Sequence, residues 1–337
     1  MDSKPKLETV AKLAEVSTAT VSQVMRGTGR ISDKTRAKVL QAAEQLHYVT
    51  NGSAALMRSG QNREVGFVIN QISNPFNAEV ISGASDKLEG EGYLISILDA
   101  RNDPAKQDRH IKAFIRGGRG GLLWVPAINT PPEIVDLLKA HKLPTVTFLR
   151  ETDPLSFDHL GIRNYDATRT ATTYLAELGH RNIAYLGGTD MTTIRRERIR
   201  GYQDVMIELG LGTPVVWASE DNKLAGLVAL EELHRAHPET TAIVCNGDMV
   251  ALGASHAITR MGLTPGKDFS IVGIDDIQDA AVDTPPLTTM ANNPYLLGVR
   301  LATILLDRIR NPLAPITSAE SATTLIVRET TGKLVEL

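Results

Sequence analysis

The sequence predicts a two-part chain, an all-α helix-turn-helix head followed by an α/β body of two doubly wound parallel sheets. Three observations predict it. Two short amphipathic segments meet across a tight break within residues 9–25, basic side chains collect in the first 60 residues, and from residue 64 short β-rich runs alternate with longer helical ones. A length of 337 residues suits two or three compact units rather than one small core.

In the head, Val10, Leu13 and Ala14 recur at the spacing that places them on one helix face. Val16 sits in the turn, Ser17 is placed to cap a second helix, and Val21, Val24 and Met25 supply its apolar stripe, so two short helices close over one small core. The outward residues of the second helix, Thr18, Ala19, Ser22 and Gln23, are small or polar and uncharged. Such a face suits a major groove, where amides and hydroxyls exchange hydrogen bonds with base edges. A third helix follows, with Ser32 as N-cap, Asp33 at its positive end and Val39, Ala43 and Leu46 inside. Three small amphipathic helices also occur in proteins that never meet nucleic acid, and charge separates the two cases. Residues 1–60 carry nine basic against five acidic side chains, a balance of +4 that leaves −7 on the remainder of a chain whose net charge is −3. Phosphate attraction therefore favours the head and repels DNA from the body.

The body begins with Val65-Gly66-Phe67-Val68-Ile69 and a helix over about 77–91. Strands follow at 94–98, 121–125 and 145–149, with helices around 105–116 and 132–141. After a break near Asp153-Pro154 the rhythm restarts with strands at 183–186, 241–245 and 270–274 and helices near 165–178, 195–209, 223–236 and 248–261. This is the βαβ alternation of parallel sheets, and two such sheets imply two lobes. Ligands of open α/β sheets bind beyond the carboxyl ends of the strands, so a cleft between facing lobes is the expected site.

Other classes find little support. No apolar run reaches the length of a membrane span, and Lys4 and Lys6 are not followed by the apolar core of a secretion signal, so neither membrane insertion nor export is expected. The lone Cys245, in an apolar run, fits a buried strand residue in a reducing cytoplasm. The eight histidines are scattered, so no metal centre is expected, and no cofactor. Neither a dinucleotide-binding glycine pattern, a phosphate-binding loop nor a nucleophile elbow occurs, so the chain reads as a binding protein rather than an enzyme. Asp275-Asp276 after a strand has two readings, an acid/base or metal pair and the more economical one of a carboxylate contacting a ligand hydroxyl. Trp124 and Trp217, the only tryptophans, lie at strand ends, where each could pack in the core or stack on a sugar face.

With these residues in view the chain resembles the lactose-repressor (LacI/GalR) family of bacterial transcription regulators almost end to end. Val10 to Val24 matches the family's opening pattern apart from Glu15 and Gln23. Asn74-Pro75-Phe76, Leu178 to Ala184, Asp248 to Gly253, Val272 to Asp276 and Pro286 to Thr289 follow in family order. The run Thr193 to Arg198 followed by Gly201-Tyr202 looks closest to maltose-regulon-type members. The resemblance implies a headpiece at 1–50, a hinge helix and linker at 51–63, and at 64–337 a two-lobed effector-binding and dimerisation domain of periplasmic-binding-protein type. It implies that Thr18, Ala19 and Gln23 face base edges from behind the Ser17 cap, itself counted among the DNA-facing residues, and that Ser22, Arg26 and Arg30 lie near phosphates or groove edges. In the hinge, Met57 stands where the family commonly has a leucine wedge for the minor groove, with Leu56 beside it to share the role; packing between two hinge helices is the alternative.

For the cleft, the family pattern implies Asn74, Phe76, Asn77, Thr192, Arg198, Asp248, Asp275 and Asn292 as effector contacts. A guanidinium and a carboxylate, Arg198 and Asp275, can together fix several ligand hydroxyls; a structural salt bridge tying the lobes is the other reading of that pair. Leu149 falls where many sugar-binding members have Asp, and Gly247 replaces a common Asn. Glu15 replaces the turn glycine, where a left-handed backbone costs roughly 1–2 kcal/mol. Lys6 stands at a usual capping Thr. Gln23 replaces an Arg that often reads guanine, and Gln favours adenine. The chain is thus expected to be a cytoplasmic, homodimeric, ligand-responsive repressor of carbohydrate or related catabolic genes, binding a palindromic double-stranded operator and answering to a small effector, a sugar or sugar derivative. The alternative is a sugar-binding or transport-type protein without DNA-linked regulation. No heptads precede Leu337, so no coiled-coil tail is expected.

Overall fold

A computed structural model of the chain describes residues 5–49, 62–152, 156–189 and 192–334. The hinge expected at 51–58, with Leu56 and Met57, lies outside them. The chain divides into two compact units, Met1–Asn62 and Arg63–Leu337.

The first unit holds α1 (Leu7–Leu13), α2 (Thr18–Met25) and α3 (Asp33–Gln45) around Val10, Ala11, Ala14, Val21, Val24, Val39, Ala42 and Ala43. Both expected caps form: Ser17 Oγ accepts from Thr20 N at 3.1 Å and Ser32 Oγ from Thr35 N at 3.3 Å. Leu13 departs from the expected stripe and is 47% exposed. The buried arc of α1 runs from Val10 through Ala14 to Ala11, and Leu13 falls outside it because three residues of helix turn it back past Val10. Leu46 packs only at the margin of the core.

The second unit contains two six-stranded sheets. Lobe 1 is built on β1 (Glu64–Ile69), β2 (Leu94–Asp99), β3 (Gly121–Trp124), β4 (Thr145–Phe148), β5 (Asp158–Ile162) and β11 (Ser318–Ser321), in the order β11-β5-β4-β3-β1-β2. Its helices are α4 (Pro75–Glu89), α5 (Pro104–Arg116), α6 (Pro132–Ala140) and α12 (Pro294–Arg310), the last packed along α4. Lobe 2 is built on β6 (Ile183–Leu186), β7 (Val215–Trp217), β8 (Ala242–Cys245), β9 (Ser270–Asp275), β10 (Thr289–Ala291) and β12 (Thr324–Ile326), in the order β12-β10-β9-β8-β6-β7. It carries α7 (Asn164–Glu177), α8 (Thr193–Glu208), α9 (Lys223–Ala236), α10 (Asp248–Arg260) and the short α11 (Gln278–Val282). The strands pair in parallel as expected, except that β12 closes its sheet antiparallel to β10.

The lobe boundary differs from the expected one. The run of lobe 1 does not end near residue 154: β5 still pairs with β4, and the chain returns after β10 to add α12 and β11. It crosses between lobes at 162–164, 291–294 and 321–324. α12, absent from the expected elements, is a 17-residue helix with Pro294 at its first position, Asn293 capping Leu296 N at 3.2 Å, and Leu297, Leu301 and Leu305 buried. Gly83 and Gly298 make its packing on α4 possible, since a Cβ on either would fall 2.0 Å from the other helix's backbone. The returning segment is fastened by Arg308, whose Nε and Nη2 hold Asp158 at 2.7 and 2.9 Å while Nη1 donates to Ala314 O at 2.6 Å.

Candidate functional site

Ser17, at the N-cap of α2, and Thr18 and Ala19 in its first turn are exposed, with Ser22 and Gln23 half-buried and Arg26 and Arg30 exposed beyond its end. Its inner face is committed to Val21 and Val24, and it carries no charge over Thr18–Met25. The cations lie at its C-terminal side. This arrangement can do what a groove-reading helix must: offer uncharged donors and acceptors to base edges and leave charge to meet phosphates. Glu15 adopts the left-handed backbone directly, at φ 54°, with its carboxylate 3.2 Å from Lys38 Nζ. Lys6 supplies no side-chain cap. Instead Thr9 Oγ1 accepts from Lys6 N at 2.9 Å.

In the second unit a cavity of about 180 Å³ lies at the carboxyl ends of the strands. Eight strands feed it, with Asn70 and Gln71 following β1, Val125 following β3, Leu149 and Arg150 following β4, Ile162 ending β5, Gly188 following β6, Asp221 in the loop after β7, Asn246 and Gly247 following β8, and Asp275 ending β9. Of the expected contacts, Asn74, Phe76, Asn77, Thr192, Arg198 and Asp275 line it. Asp248 and Asn292 stand behind the lining. Asp248, fully buried, accepts from Thr289 Oγ1 at 2.6 Å and from Ile277 N at 3.0 Å, which fastens α10 to its neighbours. Asn292 Nδ2 donates to Asp275 Oδ1 at 3.2 Å and so holds the carboxylate that does reach the cavity.

The two walls differ. Lobe 1 contributes an apolar surface of Phe76, Val125, Leu149 and Ile162 beside the polar Asn70, Gln71 and Arg150, with Phe76 lying almost parallel to the buried Phe148 at 6.4 Å. Its nearby amides are already used: Asn74 Oδ1 caps Phe76 N at 3.0 Å, and Asn77 Nδ2 donates to Gln71 O at 2.7 Å. Leu149 sits at φ 62°, a strained setting for a branched side chain beside a ligand cavity. Lobe 2 contributes most of the charge, Arg195, Arg198, Asp221 and Asp275 against Arg150 of lobe 1. Arg198 Nε donates to Asn164 Oδ1 at 2.8 Å and its Nη1 to Asn246 O; Asn246 Nδ2 donates to Asp221 Oδ1 at 2.7 Å and Tyr185 OH to Asn246 Oδ1 at 2.6 Å. Arg195 Nε donates to Gly187 O at 3.0 Å, and Gly188, at φ 71°, leaves it room, since a Cβ there would come within 2.5 Å of Arg195 Cδ.

Burial pushes the Asp275 carboxyl well above the usual range; Arg198 opposes the rise, and Asp248 and Asp221 reinforce it. Burial likewise raises Asp221, against the hydrogen bond from Asn246, and lifts Asp248 to about 6. Arg198 and Asp275 both belong to lobe 2, and no ion pair within 4 Å joins them among the described residues, so this pair does not tie the lobes. Carboxyl groups held away from water with few partners are strong hydrogen-bonding sites for ligand hydroxyls, and Arg198 is a donor beside them. Neither tryptophan lines this cavity. Trp124 is fully buried and donates from Nε1 to Gln107 at 2.8 Å, and Trp217 meets His237 edge-on at 6.1 Å. No helix among the described residues is long and apolar enough to cross a membrane.

Residues 6–51 match the model of bacterial regulatory proteins of the lacI family, and residues 172–331 that of a periplasmic binding protein-like domain. The chain is 30% identical over 305 residues to the HTH-type transcriptional repressor PurR of Haemophilus influenzae (strain PittEE), covering 90% of each protein. The chain belongs to the lacI family. PurR of Pasteurella multocida (strain Pm70) is 28% identical over 96% of the chain and 97% of that protein. Among solved structures, a complex of the transcriptional regulator CelR with cellobiose is 26% identical, with a TM-score of 0.73 over 97% of this chain and 99% of that one. A lac repressor dimer bound to operator and the anti-inducer ONPF, at 23% identity, shares the fold with a TM-score of 0.85 over 98% and 100% of the two chains. As a lacI-family member the chain is a ligand-responsive, DNA-binding transcriptional repressor.

Within this lacI-family body, Arg150, Arg195, Asp221 and Asn246 line the cavity although sequence reasoning did not name them. Arg195 precedes Arg198 by three residues and so shares its helix face, and Asn246 follows β8 at the strand end where ligands of open sheets bind. Asp221 follows a strand of only three residues, too short to register as an element.

Proposed function

We propose that this repressor binds a palindromic operator as a homodimer, reading base edges with Thr18, Ala19 and Gln23 of α2 and meeting the backbone through Ser22, Arg26 and Arg30, and that a small polyhydroxylated effector between the lobes controls it. The observation that carries the effector assignment is the convergence of Arg198, Asp221, Asn246 and Asp275 on one small cavity opposite the apolar wall of Phe76, Leu149 and Ile162. Carboxylate, amide and guanidinium groups gathered mainly on one side, and an apolar patch flanked by Arg150 on the other, suit a sugar or sugar derivative, whose ring has a polar rim and apolar faces. At about 180 Å³ the space is below the ~300 Å³ of sites for drug-sized ligands, which favours a compact molecule. CelR with cellobiose supports the same chemical class. Effector binding shifts the populations of lobe arrangements and, through the segment linking the units, the affinity for DNA. The protein acts in the cytoplasm, where its operator lies, and releases its effector unchanged rather than transforming it.

Removing residues 1–60 is the decisive test. Operator binding should disappear while a panel of sugars, sugar phosphates and sugar acids still gives the same thermal shifts as the full chain; retained sequence-specific DNA binding would sink the assignment of the head.

A further inference from the structure

The end of α2 carries two left-handed glycines with different surroundings. Gly27, at φ 68°, closes the helix: its N–H donates to Val24 O at 3.0 Å and Thr28 N to Gln23 O at 3.0 Å, the paired bonds of a glycine-terminated helix. A Cβ on Gly27 would meet nothing within 4 Å. Gly29, at φ 83°, turns the chain back over the helix, and there a Cβ would lie 3.0 Å from Gln23 Oε1, 3.1 Å from its Cδ and 3.6 Å from its Cβ. The amide of Gln23 is laid against the bare Cα of Gly29, and the residue is half-buried.

A bidentate pair with a base requires the Gln amide to present its oxygen and nitrogen in one plane at one depth. A Gln side chain free to explore its rotamers must lose that freedom on binding, whereas one already packed against a neighbour does not. We propose that Gly29 is a positioning residue for operator reading: by lacking a side chain it seats the Gln23 amide in the orientation that selects one base pair. The proposal rests on the assignment of Gln23 to a base edge. A methyl group at position 29 displaces the far end of a flexible side chain rather than backbone, so the predicted damage falls on selectivity.

The test uses the full-length protein and selection from a randomised double-stranded oligonucleotide pool, followed by sequencing. Gln23→Ala should erase the preference at one base pair of each half-site. Gly29→Ala should weaken the preference at that same base pair by about fivefold or more while leaving the other positions intact. Gly27→Ala, which imposes comparable left-handed strain without touching Gln23, should keep the wild-type preference. Should Gly29→Ala unfold the head, Gly29→Asn introduces the same Cβ with a residue that tolerates the left-handed backbone. Unchanged selectivity in the Gly29 variants overturns the proposal, as does equal loss in Gly27→Ala. If Gln23→Ala leaves every position unchanged, the proposal falls together with the assignment of Gln23 itself.

Discussion

Replacing Glu15 by glycine tests whether the head stands on a strained turn. Glu15 holds φ 54° between α1 and α2. An L-residue in that region costs about 1–2 kcal/mol, and glycine gives back roughly 0.4–1 kcal/mol of the relief through its freer unfolded chain. The substitution also removes the pair with Lys38, whose partners are 52% (Lys38) and 80% (Glu15) exposed and which is therefore worth a few tenths of a kcal/mol. Glu15→Ala is the proper reference, because it loses the same pair and keeps the strain. Glu15→Gly should exceed it by about 1 kcal/mol, which in a domain of this size raises the melting temperature by roughly 4–8 °C. Thermal melts of residues 1–62 followed by far-ultraviolet circular dichroism measure the difference. A Glu15→Gly head that melts at or below Glu15→Ala would refute the argument that backbone strain sets the stability of this turn.

Asp275→Asn should lower affinity for whichever sugar the thermal-shift panel identifies by at least about tenfold, and should raise the stability of the protein without ligand by about 1–2 kcal/mol because an ionisable group that burial disfavours gives way to a neutral amide; calorimetric titration and urea unfolding give the two numbers, and unchanged affinity would remove Asp275 from the site. For Asp248 the folded-state value of about 6 lies above its ordinary 3.8, so the folded protein binds this proton more tightly and the associated stability, full below about pH 4, is lost as pH rises through 6. The difference in unfolding free energy between wild type and Asp248→Asn should therefore fall by about 2 kcal/mol between pH 4 and pH 7, and a difference independent of pH would contradict the buried-carboxyl assignment.

Much of this was legible in residue order because local signals agreed with the tertiary outcome. Ser17 and Ser32 announced their helices as caps, and Val65 to Ile69 announced β1 by an unbroken apolar run buried on both faces. β7, β10 and β12 were not legible: with three residues each they hold too few side chains to show a period, and they exist because a neighbouring strand offers its edge. α12 had a readable signal in Leu297, Leu301 and Leu305 behind Pro294, and its membership of lobe 1 had none, since that depends on bare glycines at 83 and 298 meeting across more than 200 residues of chain. Asp248 and Asn292 show the corresponding limit for the site. Sequence pattern brings them near the cavity, and only geometry separates the residue that lines it from the one that holds the lining in place.

The three crossings between lobes set an order of events during synthesis. The last strand of lobe 1, Ser318–Ser321, and the last of lobe 2, Thr324–Ile326, leave the ribosome within a few residues of each other. At ~5–20 residues per second the head has been exposed for tens of seconds by then. A nascent chain of this repressor therefore acquires its DNA-binding unit long before it can close either half of its sensor, and the newborn head is without ligand control until Ser318–Ser321 and Thr324–Ile326 have emerged.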